Sequence, residues 1–237
     1  AEGADHVLGW RSPNFVYRPA GCGALRLLLK NYRLSDDIAF RFSNHEWPEF
    51  PLTAEKFAGW AQAAGAAGDI INLFMDYETF GEHQWESTGI FQFMEALPDV
   101  LLSRPGFTFV TPTEAAVMFQ PVASLDVHNF MSWADAERDL TAWLGNDLQQ
   151  DAITAVYRLE EKVKASASED LLRTWRRLQT SDHFYYMCTK WFADGDVHSY
   201  FNPYGTPYDA YINYMNVLAD FGLTLDVPLP AAGTSRG

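Results

Sequence analysis

The chain has 237 residues, of which 48% are hydrophobic and 15% aromatic, and it carries a formal net charge of -14. That is material for a sizeable core in one large or two smaller domains. The negative charge repels phosphate backbones, so nucleic acid is not an expected partner, and no window approaches the roughly 18 uninterrupted apolar residues of a membrane span.

Cys22 and Cys188 are far apart and have no metal-type spacing, which fits a reducing, cytoplasmic location without a disulfide framework. The chain opens Ala1-Glu2-Gly3 with no initiator methionine, basic region or apolar leader, and reads as a piece of a longer protein. Residues 5–19 hold short apolar pairs broken by Gly9, Pro13 and Pro19, a loop pattern. From Ala24 the spacing of Leu25, Leu28, Leu29 and Tyr32 predicts a helix ending near Ser35-Asp36-Asp37. Ile38-Ala39-Phe40-Arg41-Phe42 then alternates as a strand does, with Ser43-Asn44-His45-Glu46-Trp47 at its end.

Thr53 is placed to cap a helix whose buried face is Phe57, Trp60, Ala61 and Ala64. The apolar run Ile70-Ile71-Asn72-Leu73-Phe74 predicts a buried strand over 70–75. Ile90, Phe91, Met94 and Leu97 define a third helix, closed before Pro98, and Phe107-Thr108-Phe109-Val110 a third strand. Thr111-Pro112-Thr113-Glu114 is a capping box with proline at the first helical position. Strands alternating with helices indicate parallel βα units, of a barrel or an open sheet.

After Pro121 the pattern changes to helical stripes: Ala136, Leu140, Trp143, Leu144; Ile153, Val156, Tyr157, Val163; Leu171, Leu172, Trp175, Leu178; Tyr211, Tyr214, Met215, Leu218. These imply a helical bundle. A Gly, Asn and Pro loop is expected over 195–207 and a disordered tail beyond 226. The expected domains are 1–120 (βα part), 121–225 (bundle) and 226–237 (tail).

The chemistry concentrates in Met75-Asp76-Tyr77-Glu78-Thr79-Phe80-Gly81-Glu82-His83-Gln84-Trp85, where three carboxylates, a histidine and bulky rings follow an apolar strand. In parallel α/β folds sites collect where strands finish. If the backbone stays extended through Tyr77, Asp76 and Glu78 leave on one face, and like charges push one pKa upward, as acid work near neutrality requires. The aromatic content, 8 Trp, 11 Tyr and 17 Phe, suits stacking on sugar faces, although rings also fill cores. A calcium loop needs alternating oxygen ligands that are lacking. His45 and His83 with Asp76 offer no HxxxH or HExxH zinc spacing. No metal or other cofactor is expected.

The run at 75–85 resembles the fourth signature region of glycoside hydrolase family 57 in its α-amylase-type form. Ala1-Glu2-Gly3-Ala4-Asp5-His6-Val7-Leu8-Gly9-Trp10-Arg11-Ser12-Pro13-Asn14 is similar to its third region, and Thr180-Ser181-Asp182-His183-Phe184 to its fifth. The resemblance extends to about residue 222. It implies an incomplete seven-fold βα barrel, here its carboxyl-terminal part, followed by an α-helical bundle. It also implies a retaining mechanism on α-glucans, with Glu2 as nucleophile and Asp76 as general acid/base. Trp10, His45, Glu78, His83, Trp85 and Asp182 are then expected on the substrate side, with an α-glucan or maltooligosaccharide as the partner. The family's first two regions, with a His-Gln-Pro, are absent, so residues 1–237 alone are expected to show little or no activity. A 4-α-glucanotransferase or branching enzyme of the same family is the alternative. Rivals from other classes are a non-catalytic glycan-binding protein and a metal-dependent deacylase.

Overall fold

A computed structural model describes residues 4–132, 134–135, 137–190 and 202–226. Glu2, most of the loop expected over 195–207, and the tail beyond 226 lie outside the described residues. Contacts divide the chain into two units, Ala1–Asn129 and Phe130–Gly237.

In the first unit, α1 (Asp5–Leu8) is a single turn ending at Gly9. Leu8 is buried in a small cluster with Tyr17 and Leu125. β1 (Arg18–Pro19) pairs in parallel with β2 (Ser124–Leu125), Arg18 opposite Ser124. The ladder is continued by Val122 N–H donating to Val16 O and Ala20 N–H to Leu125 O. A parallel bridge joins Lys30 to Asn72.

The next helix departs from the sequence reading. α2 runs Tyr32–Ala39, later than expected, because Asn31 is its N-cap and accepts from Leu34 N–H. The residues read as a strand over 38–42 instead close this helix and the turn after it. Ile38 and Phe42 are buried while Phe40 is 65% exposed. Period-two alternation would put all three on one face; burial four residues apart is helical. Beyond α2 the chain makes successive turns, with Asn44 N–H to Arg41 O, Trp47 to Asn44 and Phe50 to Trp47. His45 therefore lies in a turn region, not at a strand end.

α3 (Ala54–Gly65) begins where expected, with Thr53 Oγ1 accepting from Lys56 N–H. α4 (Ile90–Leu102) does not stop before Pro98 but runs through it. The buried face is Ile90, Phe93, Leu97 and Leu101, and Phe91 points outward. Burial of Leu97 and Leu101, at roughly 1.5–3 kcal/mol each, offsets an interior proline that costs about 3 kcal/mol. Together with Leu34, Ile38, Phe42, Leu52 and Phe57 these residues form the core. Phe93 meets Phe42 edge to face at 5.1 Å and Phe57 at 5.9 Å. α5 (Pro112–Met118) has the full capping box of Thr111 and Glu114 with Pro112 in its first turn. The segments expected as strands over 70–75 and 107–110 form no ladder of their own beyond the single bridge at Asn72. Phe74 is 48% exposed, so the first of them is not the fully buried strand expected.

The regular elements among the described residues of the second unit are helices: α6 (Thr141–Leu144), α7 (Asp147–Arg158), α8 (Glu160–Ala165), α9 (Glu169–Arg177), α10 (Ser181–Tyr185) and α11 (Pro207–Asp226). The stripe read over 153–163 is split between α7 and α8 at Leu159. Val156, Val163, Trp175, Leu178, Phe184, Tyr214, Leu218 and Phe221 share one core. Two buried polar tips are paired inside it: Trp175 Nε1 donates to Val156 O at 2.8 Å, and Tyr214 Oη to Leu178 O at 2.7 Å. No helix among the described residues is long and apolar enough to cross a membrane.

Candidate active site

The segment entering the 76–85 run is gripped by buried amides. Asn14 O accepts from Asp69 N–H at 2.8 Å and from Ile70 N–H at 3.0 Å. Only glycine fits at position 68, where an added Cβ would lie 2.4 Å from Asn14 Cβ and O. Asn31 N–H donates to Asn72 O at 2.9 Å, and Asn72 Nδ2 to Leu29 O at 3.0 Å. Phe74 N–H donates to Ser35 Oγ, whose own hydroxyl donates to Asn31 O. Buried backbone groups must be paired, and here the backbone of Asn14 and Asn31 and the side chains of Asn72 and Ser35 share that pairing where no continuous ladder forms.

Asp76 follows with φ -70° and ψ 149°, still extended. Extension ends there. Tyr77–Thr79 is a 3-10 turn, so the condition for Asp76 and Glu78 to share a pleat face fails: three residues per turn replace two. Asp76 is exposed and its side chain makes no capping bond to the turn. The helix-cap role is thus filled by backbone alone, with Thr79 N–H on Asp76 O. Glu78 is exposed, and its carbonyl accepts from Glu82 and His83 N–H. Gly81 takes φ +108°, a value that suits glycine.

The run is built from outward and inward residues. Tyr77 (95% exposed), His83 and Trp85 (62%) face solvent with the carboxylates. Thr79 and Gln84 are buried, and Phe80 packs against the first core. Exposed rings beside exposed carboxylates are what a ligand with apolar faces and hydroxyl edges needs. Sequence reading missed the inward half: Thr79, Gln84 and the Asn14, Asn31, Asn72 and Ser35 network carry no periodic signal, being polar residues in polar surroundings.

The other expected residues are placed separately. Trp10, 96% exposed, follows Gly9 at the end of α1. His45 is exposed and its ring stacks on Phe50 at 4.2 Å. Asp76, Glu78, Trp10 and His45 share no hydrogen bond, ion pair or ring contact with one another among the described residues. Asp182 belongs to the second unit, exposed in the first turn of α10. Burial, and after it the Asp182 charge, push the Tyr186 phenol up. A hollow of about 1000 Å³ in the first unit is bordered by Asp37, Arg41, Trp47 and Trp60, and none of residues 76–85 lines it. Among the described residues no three His, Cys, Asp or Glu side chains are grouped to hold a metal ion.

The model of a protein family described as "Glycosyl hydrolase family 57" matches residues 1–128 of the 237. A curated protein of Methanocaldococcus jannaschii named "Putative alpha-amylase" is 42% identical over 231 residues, which is 93% of this chain and 48% of its own length. The chain thus spans about half the length of that relative. No solved structure matches it significantly.

Proposed function

Because the chain belongs to glycosyl hydrolase family 57, we propose that it contributes to a retaining glycoside hydrolase acting on α-glucans, of the α-amylase kind. The observation that carries this reading is the solvent-facing Asp76 carboxyl, uncommitted to capping, at the end of a segment fixed by buried amides and flanked by exposed Tyr77 and Trp85. The printed name of the M. jannaschii relative supports the α-glucan class.

In this reading residues 1–120 are the carboxyl-terminal part of an incomplete seven-fold βα barrel, and 121–225 are its helical bundle. The parallel pairing of β1 with β2 and the parallel bridge at Asn72 support the first assignment. Glu2 attacks the anomeric carbon while Asp76 gives its proton to the departing glycosidic oxygen, leaving a glycosyl ester on Glu2. Asp76, now a carboxylate, takes a proton from water, and that water oxygen displaces the ester to return Glu2 and release the sugar. The two carboxyl groups must then stand about 5–5.5 Å apart. Trp10, His45, Glu78, His83, Trp85 and Asp182 are assigned to the substrate side.

The test uses the full-length protein with maltoheptaose and reads the anomer of the first-formed product by proton NMR. The α anomer is expected. Asp76→Asn should lower kcat by about 10²–10⁴-fold, the range of a positioned acid/base. A β product first, or an undiminished Asp76→Asn, overturns the proposal. Longer or branched products move the assignment to a transferase of the family, and binding without turnover moves it to a glycan-binding protein.

A further inference from the structure

Of residues 76–85 only Thr79 and Gln84 are buried, at 2% and 3% exposure. Gln84 N–H donates to Thr79 O and Gln84 O accepts from Gly81 N–H, both at 2.9 Å, which closes the loop on itself. Its side chain then fastens the closed loop to α2. Nε2 donates to Ala39 O at 3.0 Å, a carbonyl at the helix's last residue and so without a partner inside the helix.

The upstream side of the loop is fastened to the same helix, where Phe74 N–H meets Ser35 Oγ at 3.2 Å. Ser35 and Ala39 are one turn apart on the buried face of α2, so the two anchor points are separated by roughly 6 Å along the axis. The stretch from Phe74 to Gln84, with Asp76 inside it, is thus a span clamped at both ends to one rigid rod. Gln84 Oε1 has no hydrogen-bond partner among the described residues. A buried acceptor left unpaired costs stability, so the amide weakens the fold at this point while it holds the loop.

We propose that Gln84 is a positioning residue for Asp76: by tying the downstream end of the loop to Ala39 O it sets where the Asp76 carboxyl stands relative to the glycosidic oxygen. The inference rests on the assignment of Asp76 as the acid. Gln84 does not touch substrate; it acts through the loop.

The test compares two substrates on the full-length protein, a maltooligosaccharide and α-maltosyl fluoride. Fluoride departs without protonation, so kcat/KM on it is insensitive to the acid, whereas the sugar leaving group is not. Gln84→Met removes the donor and keeps the side-chain length. It should lower kcat/KM on the maltooligosaccharide about 10- to 100-fold, the loss expected of a carboxyl displaced by about an ångström, and on the fluoride by less than about threefold. Asp76→Asn should show the same contrast more strongly. Equal losses on both substrates for Gln84→Met, or no loss, overturn the inference. Should that variant fail to fold, Ser35→Ala releases the other anchor and must give the same contrast. If Asp76→Asn itself shows no contrast, the assignment of Asp76 as the acid falls first. If it does and neither anchor variant does, the positioning role alone falls.

Discussion

Asn31 Nδ2 donates to Asn14 Oδ1 across 3.0 Å, and both side chains are buried. The pair ties three decisions of the backbone together. Asn14 receives the N–H groups of Asp69 and Ile70, Asn31 caps α2 through Leu34 N–H, and Asn31 N–H holds Asn72 O. The contact thus links the residue that caps α2 to the residue whose backbone carbonyl holds the segment leading to Asp76.

Asn31→Ala should destabilise the first unit by about 2–4 kcal/mol, the sum of a lost N-cap near 1 kcal/mol and a buried acceptor left on Asn14 at 1–3 kcal/mol. Urea unfolding of the variant should show a lower midpoint at an unchanged slope. A midpoint equal to that of the parent would mean that water replaces the contact at no cost.

These amides also mark what the sequence conceals. Caps with fixed spacing were legible: Thr53, and Thr111 with Glu114, start helices where their side chains say they should. The family motif singles out the loop at 75–85 as a candidate site by residue type alone. Four features were hidden because tertiary context decides them. Ile38, Phe40 and Phe42 fit period two as well as period four until the core takes Ile38 and Phe42 and leaves Phe40 out. Pro98 reads as a stop, but core burial of Leu97 and Leu101 carries α4 past it. Tyr77 gave no sign of the 3-10 turn that separates Asp76 from Glu78. Gln84 looks like one more polar residue until Ala39 O, 45 positions away, is found beside it.

A second buried amide organises the other unit, where Asn146 and Gln149 form the capping box of α7. Gln149 is fully buried and uses both ends of its side chain. Nε2 donates to Ala142 O at 2.8 Å and Phe184 O at 2.9 Å, while Oε1 accepts from Gly145 N–H at 2.8 Å and Asn146 N–H at 3.1 Å. Gln149→Leu would strand four backbone groups and should cost about 3–4 kcal/mol, with each unpaired group at 1 kcal/mol or more and some return from apolar burial. Gln150→Leu is the control, because Gln150 is exposed with one bond to Leu144 O, and it should stay within about 0.5 kcal/mol of the parent. Thermal unfolding followed by tryptophan fluorescence compares the two. Equal melting temperatures would show that Gln149 organises nothing.

The capping box of α5 should make the first unit sensitive to acid in a defined direction. Glu114 Oε2 accepts from Thr111 N–H at 2.7 Å and from Thr111 Oγ1 at 2.9 Å. The backbone bond first, and the hydroxyl second, hold its carboxyl below the usual range even though it is exposed. A carboxyl whose value is lower folded than unfolded binds fewer protons in the folded state, so its stabilising effect is complete above the unfolded value. That effect is lost as the pH falls through the depressed folded value. Glu114→Gln keeps an acceptor at the same position but cannot titrate. In denaturant unfolding the parent should exceed this variant in stability at pH 7, and the gap should close progressively in acid, below the ordinary carboxylate range. Glu137 and Asp139 in the second unit, held low by their bonds to Lys190 and Thr141 respectively, titrate in parent and variant alike and cancel from the difference. A gap that stays constant from pH 7 into acid would mean that the charge on Glu114 contributes nothing to the cap beyond its shape.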